Sequence, residues 1–400
     1  GGLHEDTREA QPALDEVGTQ MDVLNPRILD DHFAPEENAP AQNFPLVTLG
    51  EIVPPTYNVQ LGPNNPRIDF INLSIPEDSC RIVKEILLAH PCTHLLSKSA
   101  SVPVFYLHQF WHTAQVNLDD VSFTVTLERQ EYNIDLAVLR EALMLPVHEE
   151  YEEPMAELDI LDYMIELGYD LSHATQQMTL SSFNVKYLPQ PWRTFYMLII
   201  RSISGRKSGH EHPRAAHLQV IWGMMSGAQI DFAEPIMNDI VHQIRSKAKR
   251  TMIPFLRFTK LLINHLIGET PAFLQRIRDR TEPKHTYHND PTVSFVKSIN
   301  FTPTTKGIRI PDHLLNDKIR SSPNYRNYVR AFKAGTVGVS HSEDTPRYLR
   351  ETRSKRGAKS KSTSTKPKPR ETKPKPVATP KRRVLRKKEA TLEPSPHPSE

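Results

Sequence analysis

Cysteine, glycine and long apolar runs are all scarce in this chain, and each shortage excludes a class of protein. Its 400 residues include two cysteines and 15 glycines. Two cysteines cannot form a disulfide framework, so we expect a reducing compartment. The apolar stretches are far shorter than the roughly 18 residues that a bilayer-spanning helix needs, so we expect no membrane partner.

The N-terminus carries no secretion signal that we recognise. Residues 1–22 are acidic and lack the apolar segment of a signal peptide. The chain begins with Gly1 and Gly2 rather than with Met. We therefore expect it to be a fragment or a processed product.

The motifs of the common enzyme classes are missing as well. The sequence contains no G-x-G-x-x-G, no P-loop, no G-x-S-x-G and no D-[ST]-G. Its Asp-Asp pairs, Asp30-Asp31 and Asp119-Asp120, do not continue into the D-D-x-x-D pattern that holds magnesium against a diphosphate. The sequence therefore predicts a non-enzymatic protein with no catalytic residue and no cofactor.

One segment is rich in side chains that can bind metals: Cys80, His90, Cys92 and His94 lie within fifteen residues. Zinc sites use paired ligands such as C-x2-C, with a second pair about a dozen residues further on. Cys80 has no such pair, and the other three side chains would point to different faces of a helix. We predict buried cysteines and helix-capping histidines here, and no metal site.

Charge is the most uneven property of the chain, although the net charge is only +3. Residues 1–40 hold ten acidic and two basic side chains, residues 41–346 hold 32 and 30, and residues 347–400 hold five and 18. The three parts therefore carry −8, −2 and +13. This gradient predicts a folded middle between two flexible arms, the last of which can meet a polyanion.

Composition divides the chain into four parts. Residues 1–67 are acidic and Pro-rich, and residues 347–400 consist mainly of Lys, Arg, Pro, Ser and Thr, so both are predicted to be disordered arms. Residues 68–282 show apolar side chains at helical spacing and are predicted to form one α-rich domain. Residues 283–346 are predicted to be a partly ordered appendage.

The predicted fold class is mainly α, a single multi-helix domain with a small β-hairpin. The hairpin is predicted to join Phe123–Leu127 to Tyr132–Ile134, and Asp135 is expected to cap the helix that follows. Helices are predicted over 77–89, 92–96, 103–116, 136–143, 155–167, 191–203, 215–225, 235–249, 254–267 and 272–280, with a short strand at 307–310 and short helices at 311–319 and 325–332.

Trp192 follows Pro189-Gln190-Pro191 and opens one of these helices. An exposed Trp at this position would anchor a protein partner. Trp at the start of a helix is more often part of the core, and we favour that interpretation.

The C-terminal tail contains the densest cluster of one charge. Six cations lie within eight residues: Lys381, Arg382, Arg383, Arg386, Lys387 and Lys388. Closely spaced cations gain large Coulomb energy only against a dense polyanion, so the cluster predicts a nuclear-import signal or a contact with nucleic acid. No aromatic residue lies between them to stack on bases, so binding should be indifferent to sequence. The alternative is a solvated tail without a specific partner.

Thr379 precedes Pro380 and the basic cluster, as in sites of proline-directed kinases. It is therefore a candidate phosphosite. A phosphate there would subtract close to two charges from the cluster. Such tetrads also arise easily by chance in tails rich in Lys and Pro.

Several motifs of the middle part resemble those of uncharacterised plant retrotransposon-associated proteins. They are Phe110-Trp111, Phe123–Leu127, Leu136–Pro146, Leu188–Trp192, Pro254–His265 and Ile310–Asp317. With them the chain resembles a gag-like or plant-mobile-domain-like protein over about residues 75–330. The motifs consist of Trp, Pro and Leu positions, so the resemblance implies a scaffold or nucleic-acid-associated role and carries over no catalytic residue.

Charge and resemblance together predict a retrotransposon-derived scaffold that self-associates and contacts nucleic acid, in the nucleus or in a cytoplasmic assembly. The alternative is a nuclear protein-interaction or regulatory module whose tail binds only a nuclear-import receptor. The first hypothesis predicts concentration-dependent assembly that nucleic acid enhances, and the second predicts a monomer indifferent to it.

Overall fold

The computed structural model describes residues 59–173, 178–246, 251–268, 280–296 and 307–334, together with residues 48, 51 and 53. The predicted tail at 347–400 lies outside these residues, as do most of the predicted N-terminal arm and the predicted helix at 272–280 up to its last residue. In the described part, no helix is long and apolar enough to cross a bilayer.

Helices dominate the described part, which confirms the mainly α fold class. The helices are α1 (Ile82–Ala89), α2 (Thr93–Ser97), α3 (Val104–Thr113), α4 (Leu136–Ala142), α5 (Glu157–Glu166), α6 (Trp192–Ile203), α7 (Ala215–Ser226), α8 (Ala233–Arg245), α9 (Leu256–Gly268), α10 (Asp317–Ser321) and α11 (Pro323–Lys333).

Local signals fix several of the helix ends. The Asp135 carboxylate accepts the backbone N–H of Val138 at 3.0 Å and caps α4, as predicted. Helix α1 ends before Pro91, which cannot continue a helix. Gly168 follows α5 with a φ of 93°, a left-handed conformation that suits glycine at a helix end.

Short strands connect distant parts of the chain. They are β1 (Arg67–Ile68), β2 (Val102–Pro103), β3 (Gln115–Val116), β4 (Phe123–Leu127), β5 (Gln130–Ile134), β6 (Lys284–His285) and β7 (Thr292–Val293). Strands β4 and β5 form the predicted hairpin, which β3 extends to three antiparallel strands. The pairs β1–β7, which is parallel, and β2–β6, which is antiparallel, join residues 280–296 to the first third of the chain.

Several predicted elements differ from the structure: the helix predicted over 311–319, for example, forms as a 3-10 turn at Asp312–Leu314 and the separate helix α10. The helix predicted over 103–116 ends at Thr113, because Gln115 and Val116 pair instead with the hairpin strand β4. No strand forms at residues 307–310. The backbone of these residues forms hydrogen bonds with side chains instead of with a strand. Trp192 Nε1 donates to the carbonyl of Ile308 at 2.9 Å, and the Ile310 N–H donates to the Tyr328 hydroxyl at 2.9 Å.

Polar side chains of α3, together with Arg280, hold the hairpin turn in place. Glu128 has a φ of 55°, and its backbone N–H and carbonyl both pair with the Gln109 side chain at 3.1 Å. Its buried carboxylate accepts hydrogen bonds from Arg280 at 2.6 Å and from the Tyr106 hydroxyl at 2.7 Å. The Arg280 guanidinium also lies 3.6 Å from the centre of the Phe105 ring.

Helices α6 and α9 form the centre of the domain. Ten of the twelve residues of α6 and ten of the thirteen of α9 are buried. A helix that is buried nearly all round must place its polar residues in the core as well, where each needs a partner.

Arg257 on α9 meets this need with backbone carbonyls. Its guanidinium donates to the carbonyls of Lys98 at 2.9 Å, Ser202 at 2.8 Å and Asn65 at 3.3 Å. Burial lowers its pKa to about 9. One side chain thereby joins α9 to the end of α6 and to two N-terminal loops.

Lys260, one helical turn further along α9, forms an ion pair with Asp290. Lys260 Nζ lies 2.6 Å from Asp290 Oδ1, and both side chains are 0% exposed. Lys260 also donates to the carbonyl of Thr286 at 3.2 Å. Burial lowers its pKa, and the Asp290 carboxylate opposes that shift. The pair fixes residues 284–293, with their strands β6 and β7, against α9.

We predict that Asp290→Asn lowers the free energy of unfolding by about 3–5 kcal/mol, because it leaves the Lys260 ammonium buried without its counter-charge. Urea unfolding followed by circular dichroism measures the loss. The matched control is Asp312→Asn, which removes an exposed ion pair with Arg320 and should cost less than about 1 kcal/mol. Similar costs for both variants would contradict the prediction.

Candidate interaction surfaces

The residues singled out in the tail lie outside the described part of the chain. This holds for the candidate phosphosite Thr379 and for the basic cluster of Lys381, Arg382, Arg383, Arg386, Lys387 and Lys388. Candidate surfaces of the folded part must therefore come from exposed or chemically unusual side chains between residues 59 and 334.

The cysteine- and histidine-rich segment is part of the packed core. Cys80 and Cys92 are fully buried, and burial raises the pKa of the Cys80 thiol to about 12. His90 Nδ1 accepts the backbone N–H of Cys92 at 3.0 Å, so Nε2 donates to the Met224 carbonyl at 3.2 Å. Both ring nitrogens of His90 are thus occupied. Among the described residues, no group of three or more His, Cys, Asp and Glu side chains could hold a metal ion.

Trp192 belongs to the core, as favoured from the sequence. It is 1% exposed, and its ring packs edge-on against Phe195. Its hydrogen bond to Ile308 ties residues 307–334 to α6. Trp192 therefore anchors the chain's own C-terminal segment and is not available to a partner.

One cluster combines a buried histidine, a buried aspartate and a partly exposed arginine. His217 Nε2 donates to Asp239 Oδ2 at 2.9 Å, and Arg214 pairs with the other oxygen of Asp239. Burial alone would raise the pKa of Asp239, but hydrogen bonds from His217 and Arg214 lower it. His217 Nδ1 accepts the backbone N–H of Arg214 at 3.3 Å, so neither ring nitrogen is available as a base. The cluster joins α7 to α8.

A stripe of cations covers the outer side of α11. Arg326, Arg330 and Lys333 are exposed and spaced four and three residues apart, which places them on one helix face. We call them the basic stripe. Residues 307–334 hold six basic and two acidic side chains, so this segment carries +4.

The inner side of α11 explains why the stripe faces outward. Tyr328 is buried and accepts the N–H of Ile310. At the start of the helix, the Glu85 carboxylate of α1 accepts hydrogen bonds from Ser322 at 2.7 Å and from Asn324 at 2.6 Å. The helix is therefore held with its cations toward solvent.

Helix α5 presents a different surface, which combines apolar and acidic side chains. Leu158 is 81% exposed and Ile165 is 42% exposed, although Ile160, Tyr163 and Met164 on the opposite side are buried. Leu161 and the exposed Asp162 lie on the outer side as well. We call Leu158, Leu161, Asp162 and Ile165 the α5 outer face.

The stretch of sequence that contains α5 carries charge of one sign, and Glu157 and Asp162 on the helix itself are exposed. Residues 141–185 contain ten acidic side chains and no Lys or Arg. A count of Lys and Arg along the chain is enough to reveal this gap. The exposure of Leu158 needs the structure, because the helical pattern of α5 has apolar residues on both sides.

The comparisons with known proteins identify no relative. No family model, no curated protein and no solved structure matches the chain.

The burial of His90 makes the stability of the fold depend on pH. Burial lowers the pKa of His90 to about 4, against about 6.5 in an unfolded chain. Between these values the unfolded chain binds a proton that the folded chain does not, so stability falls as the pH falls from 7 to 5. His90→Gln should lose less stability over this range than the wild type in urea unfolding. The exposed His288→Gln serves as the control and should behave as wild type, and equal pH dependence of all three proteins would refute the prediction.

Proposed function

We propose that this chain is a non-enzymatic, retrotransposon-derived scaffold whose α-rich domain self-associates and whose basic tail contacts nucleic acid without regard to sequence. The observation that carries the nucleic-acid part is the composition of residues 347–400, with 18 basic and five acidic side chains. The retrotransposon origin rests on the motif resemblance alone.

Polyelectrolyte chemistry supports the tail as the contact. Cations that neutralise phosphates release condensed counterions, which makes binding strong at low salt and weak at high salt. The cluster at 381–388 concentrates six of these cations. With no aromatic residue among them, the contact is made to the backbone, and the bases are not read.

Two features of the folded domain support a scaffold. Buried His217 and Asp239 are paired with each other and with the partly exposed Arg214, as is appropriate for a structural network. The exposed basic stripe and the α5 outer face give the domain two surfaces of opposite charge. Surfaces of this kind suit contacts between proteins.

We predict that residues 1–346 bind duplex DNA far more weakly at low salt than the full chain does. If about ten of the tail cations meet phosphates, log K for the full chain falls against log salt with a slope near −9. Fluorescence anisotropy with a random-sequence duplex measures both quantities. Replacing the six cations of 381–388 by Gln should reduce the slope by about 5.

A matched control separates charge from sequence. A tail with the residues of 381–388 in scrambled order keeps its cations and should bind as wild type. Unchanged binding by residues 1–346 would refute the role of the tail. Wild-type protein that binds no nucleic acid and stays monomeric would favour the import-signal module instead.

A further inference from the structure

Two exposed faces of the domain have the same length and carry opposite charges. The α5 outer face runs from Leu158 to Ile165, and the basic stripe runs from Arg326 to Lys333. Seven residues separate the ends of each, which corresponds to about 10 Å along a helix axis. One face is apolar with acidic neighbours, and the other is basic.

We propose that the α5 outer face of one copy docks against the basic stripe of α11 on a second copy. The inference deepens the proposed scaffold function, on which it rests, by naming the two surfaces that meet. Each is exposed on the single chain, so neither is covered by the other within one molecule.

The chemistry of the side chains explains how such a contact forms. Arginine and lysine carry long aliphatic stems that cover apolar surface while their charged ends remain free to pair. The stems of Arg326 and Arg330 can cover Leu158 and Ile165, and their charged ends reach Glu157 and Asp162, which are both exposed. The contact thereby buries apolar surface and pairs the opposite charges.

Charge also selects this partner over a symmetric one. Two α5 outer faces placed against each other would bring Asp162 and Glu157 of both copies together, and like charges at an interface are costly. Two basic stripes would repel in the same way. The favoured contact therefore joins unlike surfaces.

A single contact between unlike surfaces leaves one of each free on the pair, unless a two-fold axis closes both contacts at once. Without such an axis, each copy that joins can bind a further copy, and the product is a closed ring or an open filament. This property makes the contact suitable for a scaffold and gives it a distinctive test.

The test uses two full-length variants, each damaged on one surface. The first carries Leu158→Lys and Asp162→Lys, and the second carries Arg326→Glu and Arg330→Glu. All four positions are exposed, so both variants should fold, which circular dichroism checks. Sedimentation velocity on nuclease-treated protein should show wild-type assembly that grows with concentration, and each variant alone should remain monomeric.

Mixing the two variants is the decisive step. The first variant keeps its basic stripe and the second keeps its α5 outer face, so an equimolar mixture should form dimers and nothing larger. A monomeric mixture, or variants that assemble like the wild type, would overturn the proposal. A wild type that stays monomeric at every concentration would overturn it as well.

Matched controls carry the same chemical changes elsewhere. Val147→Lys with Glu149→Lys alters one exposed apolar and one exposed acidic residue in the loop before α5, and Lys207→Glu with Lys284→Glu reverses two exposed cations. Both double variants should assemble as wild type. Loss of assembly in either would show that net charge, and not the two faces, controls association, and would overturn the proposal.

DNA binding separates this inference from the proposed function. Both surface variants keep the tail and should bind duplex DNA within about twofold of wild type. If Arg326→Glu with Arg330→Glu lowers DNA affinity tenfold and leaves assembly intact, the basic stripe is a nucleic-acid surface and the proposal fails. Failure of tail-dependent binding, by contrast, would contradict the proposed function and leave the assembly result standing.

Discussion

The ion pair between Lys260 and Asp290 is the constraint around which the domain is organised. Two charges without exposed surface cost several kcal/mol each to dehydrate, and only their close approach offsets that cost. Asp290 must therefore return to α9, and it brings strands β6 and β7 with it. Arg257 on the same helix depends on carbonyls from three separate segments. Helix α9 thus determines where the beginning and the end of the domain meet.

The surface follows a different rule from the core. The buried charged side chains described above have partners within the fold: Glu128 pairs with Arg280, for example. At the surface, charges of one sign are gathered: residues 141–185 hold ten acids, nine of them at least partly exposed, and no Lys or Arg, and residues 307–334 carry +4. A protein that only needed solubility would be served by mixed signs. Separation of the signs favours association with other molecules.

Much of the fold could be predicted from the sequence, because local patterns determine it. The spacing of apolar residues located the helices, Asp135 marked a cap, and alternation marked the hairpin. The predicted end of a helix was wrong where pairing with a distant strand determines it, as at Gln115 and Val116, which pair with β4. The surfaces were harder to predict. Arg326, Arg330 and Lys333 have readable helical spacing, but the exposure of Leu158 depends on what α5 packs against. The buried roles of Lys260 and Asp290 have no local signal.

The parallel pair of β1 with β7 determines when the domain can fold. Arg67 pairs with Thr292, so 225 residues separate two adjacent strands, and such distant contacts form late because the loop must close first. During synthesis, α9 leaves the ribosome before Asp290 exists, and Lys260 then has no counter-charge. A nascent chain or a product truncated before residue 290 therefore lacks its central pair. The core can be completed only after Asp290 has been synthesised, and copies that end before it are expected to be substrates for proteolysis.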